Sequence, residues 1–139
     1  MLPTPRRFAQ APAALLPLGL LCMRVAVSLL VLHVHGLPKL LHWHEQLALI
    51  EDPFGLGARL TLGLAVFAEV LCPLLLILGL CARLACLPIL AVLGVALVFV
   101  HPEWSVEQGQ FAYLLGILFA GLALTGPGPW VLGRRPARH

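Results

Sequence analysis

Charged side chains are scarce in this sequence. They make up 11% of its 139 residues, as 9 Lys or Arg and 6 Asp or Glu, whereas soluble domains carry about 25% charged residues. Hydrophobic residues make up 60% of the chain and the mean hydropathy is +0.98, against about 45–50% apolar residues in soluble domains. This composition excludes a soluble globular protein and predicts an integral membrane protein.

The small number of basic residues also restricts the partners. The net charge is only +3, and most arginines lie near the chain ends, where they indicate membrane topology and not a nucleic-acid-binding surface. The sequence has no motif for haem attachment, for a phosphate-binding glycine loop or for Ser-His-Asp catalysis. We therefore expect no nucleic-acid partner, no bound haem and no redox centre within this chain.

Long apolar runs are what the sequence does contain. A membrane-spanning helix needs roughly 20 mostly apolar residues, and four stretches meet this requirement, at approximately 13–35, 60–80, 84–100 and 110–125. The connections between the last three stretches are short, so these spans are expected to be antiparallel neighbours. The predicted fold is an all-α, polytopic four-helix membrane bundle that forms a single domain over residues 1–139.

The positions of the basic residues predict the orientation of the bundle. Cytoplasmic segments of membrane proteins carry an excess of Lys and Arg, and all but one of the arginines outside the spans fall on one side of the predicted topology, while on the other side Lys39 and Arg59 are outnumbered by acidic residues. The arginines on the first side are Arg6, Arg7, Arg83, Arg134, Arg135 and Arg138. Both termini are therefore predicted to be cytoplasmic. A cleavable signal peptide is the competing interpretation of the N-terminus, but no small-x-small cleavage site follows the first apolar residues before Arg24.

The segment at residues 33–44 contains four histidines in two His-x-His pairs. Residues two apart on a helix point in different directions, so such a pair cannot hold one metal ion together. We therefore expect no tightly bound metal and interpret these histidines as the wet edge of a membrane span. A metal site formed after the chain folds back is the alternative. Its ligands would come from His33, His35, His42 and His44.

The loop between spans one and two is predicted to contain a short helix. Leu40, Trp43 and Leu47 recur at helical spacing, which is typical of an amphipathic helix lying in the membrane interface. Gly36 and Pro38 are expected to separate this helix from span one, because glycine and proline mark helix ends.

Two charged residues interrupt the apolar spans. Arg24 lies near the middle of span one and Glu69 near the middle of span two, so at about 1.5 Å per residue both are expected at a similar depth in the membrane. An isolated charge at the bilayer centre costs at least about 2.5 kcal/mol. Arg24 and Glu69 are therefore predicted to pair. The pair either fixes the register of the helices or lines a functional pocket, and the sequence leaves both interpretations open.

Several short elements occur in order along the chain. They are Arg24, the run His35-Gly36-Leu37-Pro38-Lys39, Ala68-Glu69, Leu78-Gly79-Leu80 with Arg83, and Gly126-Pro127-Gly128. In combination they resemble the DoxX family, whose members are small four-helix proteins of the bacterial inner membrane. This family includes subunits linked to thiosulfate:quinone oxidoreductase and partners in oxidative-stress complexes. The resemblance implies an inner-membrane location and an association with an oxidoreductase.

Four side chains are candidates for binding a ligand or handling protons: Arg24, His35, Lys39 and Glu69. Arg24 and Glu69 supply charge deep in the membrane, whereas His35 and Lys39 lie about one helical turn apart near the outer end of span one. A largely apolar cavity with a few converging polar groups suits a quinone. We predict a quinone-associated subunit or partner of a membrane oxidoreductase, with a pocket open to the outer leaflet. No catalytic residue is assigned.

Two other classes of function stay open. The chain is alternatively a non-catalytic membrane anchor for a partner enzyme, or a small transporter or metal-handling protein that uses its histidine-rich segment. In each case the bilayer surrounds the helices, and a protein partner or a second copy of the chain is expected. The four cysteines lie within the spans or beside a short turn and are expected to be buried and inert, which argues against disulfide exchange on the outer side.

Overall fold

The structure is a computed structural model that describes residues 15–132 of the chain. This part is built from helices and contains no strand, which confirms the all-α prediction for the residues described. The helices are α1 (Leu15–Leu41), α2 (Trp43–Leu49), α3 (Ala58–Leu78), α4 (Ala82–Val100) and α5 (Gln110–Thr125). By length and composition α1, α3 and α4 are able to cross a membrane.

The last helix, α5, is apolar but shorter than α1, α3 and α4. Its 16 residues extend about 24 Å at about 1.5 Å per residue, which is less than the hydrocarbon core of about 30 Å. It packs along α4 and contributes Leu115, Phe119 and Leu122 to the core. The helix α5 is therefore a fourth apolar helix of the bundle. Whether it spans the membrane stays a prediction.

Both α1 and α3 contain a π turn that is followed closely by a proline. The first π turn covers Leu32–Gly36 and precedes Pro38, and the second covers Phe67–Leu71 and precedes Pro73. Proline lacks an N–H, and its ring pushes away the carbonyl four residues earlier in the chain. The wider hydrogen-bond pattern of the π turn absorbs this disturbance, so both helices continue past their prolines. Such π turns are frequent at functional sites.

The end of α1 differs from the prediction. Gly36 and Pro38 were expected to separate the first span from the short helix, but α1 continues through them to Leu41. The break falls at His42, whose backbone leaves the helical region with φ −107° and ψ 38°. The predicted short helix is present as α2, and it packs against the start of α3.

The core lies between α1, the second half of α3, α4 and α5. Its buried side chains are almost all aliphatic or small, with one aromatic ring from α5. They are Val27, Val31, Cys72, Leu76, Ala82, Ala85, Cys86, Ile89, Leu115, Phe119 and Leu122. Small residues on α4 allow close packing between helices. Ser28, next to Val27 on α1, is a polar side chain that is also fully buried.

The two ends of the bundle carry different side chains. At one end the Leu132 N–H donates to the Leu78 carbonyl oxygen, 3.1 Å away, which joins the segment after α5 to the turn between α3 and α4. We call this end, formed by residues 78–83 and 126–132, the arginine end. The opposite end, where residues 33–44 lie, is called the histidine end. The orientation of these ends in the membrane stays a prediction. Most of the arginines on which it rests lie near the chain termini, outside the described residues: Arg6, Arg7, Arg134, Arg135 and Arg138.

Candidate functional site

An ion pair joins α1 to α3 at the histidine end. Lys39 Nζ lies 2.5 Å from Glu69 Oε2, and the two side chains are 20% and 9% exposed. An ammonium group has three N–H donors and a carboxylate has two acceptor oxygens. The ion pair uses one of each, so both side chains retain atoms that are able to bond a third group.

Gly36 allows the two helices to approach at this level. A Cβ at position 36 would overlap the backbone carbonyl oxygen of Glu69, so a residue with a side chain would force α1 away from α3. In a regular helix the Glu69 carbonyl would accept a hydrogen bond from residue 73, which is proline and has no N–H to donate. Gly36 and Pro73 together therefore place the backbone of Glu69 against α1, one turn below Lys39.

The predicted pairing of Arg24 with Glu69 is wrong. Glu69 lies beside Gly36, and Arg24 precedes Gly36 by 12 residues in the same helix (36 minus 24), which is about 18 Å along the axis. The prediction placed span one at 13–35, whereas α1 runs on to Leu41. Glu69 therefore meets the last third of α1, where Lys39 supplies the opposite charge.

Arg24 lies at the arginine end, and there it binds the segment after α5. Its guanidinium donates from Nη1 to the Pro127 carbonyl and from Nη2 to the Trp130 carbonyl, the latter at 2.9 Å. The residue is only 1% exposed, and its Nε has no hydrogen-bond partner within residues 15–132. Arg24 thus connects α1 to the segment after α5, through carbonyl oxygens and not through a carboxylate.

His35 belongs to the same cluster as the ion pair. It is exposed and lies within electrostatic range of both Glu69 and Lys39. The structure therefore brings together three of the four candidates, His35, Lys39 and Glu69, and places Arg24 at the other end of the bundle. We call these three residues the Lys39–Glu69–His35 cluster.

The remaining histidines do not join this cluster. His33, His42 and His44 are exposed, and the His42 ring nitrogen Nδ1 lies 3.6 Å from a carboxylate oxygen of Glu45. In the part of the chain that the structure describes, no three His, Cys, Asp or Glu side chains are arranged to hold a metal ion. The alternative metal site thus has no support from the geometry.

The four cysteines are free thiols. Cys72 and Cys86 are buried in the core, as expected, whereas Cys22 and Cys81 are exposed. The prediction that all four are buried is therefore wrong for two of them. Cys22 lies on the outer surface of α1, and Cys81 lies in the turn before α4.

Asp52 orders the loop before α3, a role that the sequence analysis missed. Its carboxylate accepts hydrogen bonds from the Leu56 N–H at 3.0 Å, the Gly57 N–H at 2.7 Å and the Thr61 hydroxyl at 2.8 Å. The hydrogen bond from Thr61, followed by that from Gly57, lowers the pKa of the Asp52 carboxyl below its ordinary value of 3.8. The turn residues Pro53-Phe54-Gly55 after an Asp were the signal for such a loop.

Comparison with known proteins gives one match. The family model of DoxX matches residues 19–102. The chain belongs to the DoxX family. The part that matches DoxX contains α1 to α4, and with them Arg24 and the Lys39–Glu69–His35 cluster, while α5 and the carbonyls that Arg24 contacts lie beyond it. No curated protein and no solved structure matches the chain.

Proposed function

We propose that this DoxX protein is a quinone-associated subunit or partner of a membrane oxidoreductase in the bacterial inner membrane. We assign the contact with the quinone ring to the histidine end. The observation that carries the proposal is the Lys39–Glu69 ion pair with His35 beside it, set between two apolar helices. Ionisable groups within membrane-spanning helices are costly and commonly mark ligand sites or proton relays.

The side chains of the cluster fit a quinone in their hydrogen-bonding capacity. A quinone carbonyl accepts hydrogen bonds, and the Lys39 ammonium retains donors beyond the one that it gives to Glu69. Exposed apolar side chains also stand close to the cluster residues in the sequence of α1 and α3: Val34, Leu40, Leu41 and Phe67. A few polar groups within an apolar surface are what an amphipathic ring requires for binding.

Glu69 and His35 are the groups that would hold or pass protons at this site. A bound quinone supplies the capacity to take up electrons together with protons. The imidazole of His35 is exposed, so its ring nitrogens are accessible for proton exchange. The Glu69 carboxylate is more deeply placed, beside the Lys39 ammonium. Electrons would have to come from a partner protein, because the sequence carries no motif for a redox centre.

Quinone binding by the purified full-length protein tests this proposal. A ubiquinone or menaquinone analogue with a short tail is titrated into the protein in detergent, and binding is followed by calorimetry. We expect saturable binding that weakens by about 3- to 10-fold in His35→Ala, the factor that corresponds to the loss of one hydrogen bond. His33→Ala is the matched control, because His33 is also exposed but lies outside the cluster.

The same experiment separates this function from the alternative of a membrane anchor. An anchor would give no saturable quinone binding in the wild-type protein. Binding that is equally strong in the wild type, His35→Ala and Glu69→Gln would also contradict the proposed site. In either case, co-purification of a partner enzyme with the wild-type protein would favour the anchoring function.

A further inference from the structure

A cavity of about 700 Å³ opens at the arginine end of the bundle. It is lined by the turn between α3 and α4 and by the segment after α5, and Arg83, Thr125 and Gly126 are among its lining residues. It does not involve the Lys39–Glu69–His35 cluster, which lies at the opposite end. The function of this cavity is thus a separate question from quinone binding.

The described segments that form the arginine end contain arginine but no Asp or Glu. The sequence has no Asp or Glu before residue 45, between 70 and 102, or after residue 107. The acidic residues lie in α2, in α3, in the loop before α3 and in the loop before α5: Glu45, Glu51, Asp52, Glu69, Glu103 and Glu107. Arg24 and Arg83 therefore have no acidic residue of their own chain at this end.

The two arginines differ in how they are held. Arg24 is buried, and a buried cation is costly unless its charge and its N–H groups are satisfied. Two of its nitrogens donate to carbonyls, and Nε is left without a partner among the described residues. Arg83 is exposed at the cavity, and within residues 15–132 it donates only from Nη2, to the Leu124 carbonyl at 3.3 Å. The rest of its planar donor fork is available, and this geometry matches a phosphate group.

The loop beside Arg83 is shaped by Gly126. This residue has φ of +80°, a backbone conformation that L side chains rarely adopt and that glycine adopts readily. A Cβ at this position would lie 3.2 Å from the Nε atom of Arg83. Gly126 thus allows the segment after α5 to turn closely around the guanidinium, which keeps Arg83 at the wall of the cavity.

The surface next to the cavity is apolar and exposed. Leu84 and Leu87 follow Arg83 on α4, and Leu124 directly precedes Thr125 at the end of α5; all three are strongly exposed, Leu124 at 80%. A ligand that reaches both the arginine and these leucines must have an anionic group and a hydrocarbon part. An anionic phospholipid has both, and basic pockets between membrane helices are known to bind lipid head groups.

We propose that the cavity at the arginine end binds the phosphate head group of an anionic phospholipid. Arg83 contacts the phosphate, and the acyl chains lie along Leu84, Leu87 and Leu124. The ligand chemistry is a phosphate-bearing anion, and we assign its source to the lipid because the adjoining surface is apolar.

Lipid binding by the purified full-length protein tests this assignment. Phosphatidylglycerol, phosphatidylcholine and inorganic phosphate are titrated separately into the protein in a non-ionic detergent, and bound lipid is counted by native mass spectrometry. We expect phosphatidylglycerol to bind at least about 10-fold more tightly than phosphatidylcholine, and Arg83→Gln to weaken its binding about 10-fold. Arg59→Gln is the matched control, since Arg59 is exposed at the start of α3 and does not line this cavity.

Two further measurements complete the test. Arg83→Lys keeps the charge but loses the planar donor fork, so we expect it to restore only part of the affinity. Circular dichroism of each variant verifies that the fold is retained. Equal affinity for the two lipids, or unchanged phosphatidylglycerol binding in Arg83→Gln, would overturn the proposal. If inorganic phosphate displaced phosphatidylglycerol at a concentration similar to that of the lipid, the site would bind a free anion, and the proposal of a lipid ligand would be overturned.

Discussion

The Lys39–Glu69 ion pair leads to a stability prediction that distinguishes the observed partners from the predicted ones. Glu69→Gln leaves the ammonium of Lys39 without its carboxylate, and Lys39→Gln leaves the carboxylate of Glu69 without its ammonium. Each single substitution therefore leaves one charge uncompensated, which lowers the free energy of unfolding. In the double variant both charges are absent, and the remaining amides are able to bond each other.

The expected size of the effect follows from the burial of the two side chains. Breaking a fully buried pair costs about 3–5 kcal/mol, and an exposed pair contributes about 0–1 kcal/mol. With side-chain exposures of 20% for Lys39 and 9% for Glu69, the pair lies closer to the buried case. We expect each single variant to lower the free energy of unfolding by about 2–3 kcal/mol, and the double variant to lose about 1–2 kcal/mol less than the sum.

The assay is reversible unfolding of the purified protein in mixed micelles with increasing SDS, followed by circular dichroism. Arg24→Gln combined with Glu69→Gln is the control, because residues about 18 Å apart along the helix should not interact and their effects should add. Additive behaviour of the Lys39 and Glu69 variants would refute the ion pair. Strong non-additivity between the Arg24 and Glu69 variants would refute the helix register described above.

Three other predictions follow from separate features. In the same unfolding assay, Gly36→Ala should lower the free energy of unfolding by about 1–3 kcal/mol, as overpacking does. Gly94→Ala should have little effect, because no atom lies within 4 Å of a Cβ added there. Equal effects of the two substitutions would contradict the close approach of α1 and α3. The hydrogen bonds to Asp52 lower the pKa of its carboxyl below 3.8 in the folded protein. The stabilisation that they give to the loop should therefore be complete above pH 3.8 and should be lost as the pH falls through the pKa of the folded protein. Hydrogen exchange of the loop amides measures this loss, and Asp52→Asn should remove the dependence on pH; a loop whose protection does not change between neutral and acid pH would argue against it. Reporter fusions after Pro102 and after Arg138 should report opposite sides of the membrane, and the same side for both would contradict the predicted topology.

The helices were predictable from the sequence because their signal is local. Each long apolar run is read directly from consecutive residues, and the repeat of Leu40, Trp43 and Leu47 predicted the short helix. The end of α1 was not predictable in the same way. Gly36 and Pro38 are ordinary helix-ending residues, but α1 continues past them, with a π turn directly before Leu37 and Pro38. No pattern in the sequence predicted this π turn.

The partner of Glu69 depended on the same feature. The depth of a side chain in a bundle is set by where two helices touch, and in this protein that contact is made by Gly36 against the Glu69 backbone. Counting residues from the ends of apolar runs therefore placed Arg24 at the level of Glu69, although Lys39 is its partner. Of the four candidates, His35, Lys39 and Glu69 lie near one another because α1 continues to Leu41. Their role in binding a ligand stays a prediction.

The balance of charge at each end of the bundle argues for two different kinds of ligand. At the histidine end the Lys39 ammonium is neutralised by Glu69 within the chain, so an uncharged molecule with carbonyl groups is able to bind without leaving a net charge uncompensated in an apolar setting. At the arginine end neither Arg24 nor Arg83 forms an ion pair within residues 15–132, and an uncharged ligand would leave their positive charge uncompensated. An anion compensates it. Because Arg83 and His35 lie on different helices at opposite ends, a substitution at one site should leave ligand binding at the other unchanged, and a loss of both kinds of binding in either variant would indicate damage to the fold.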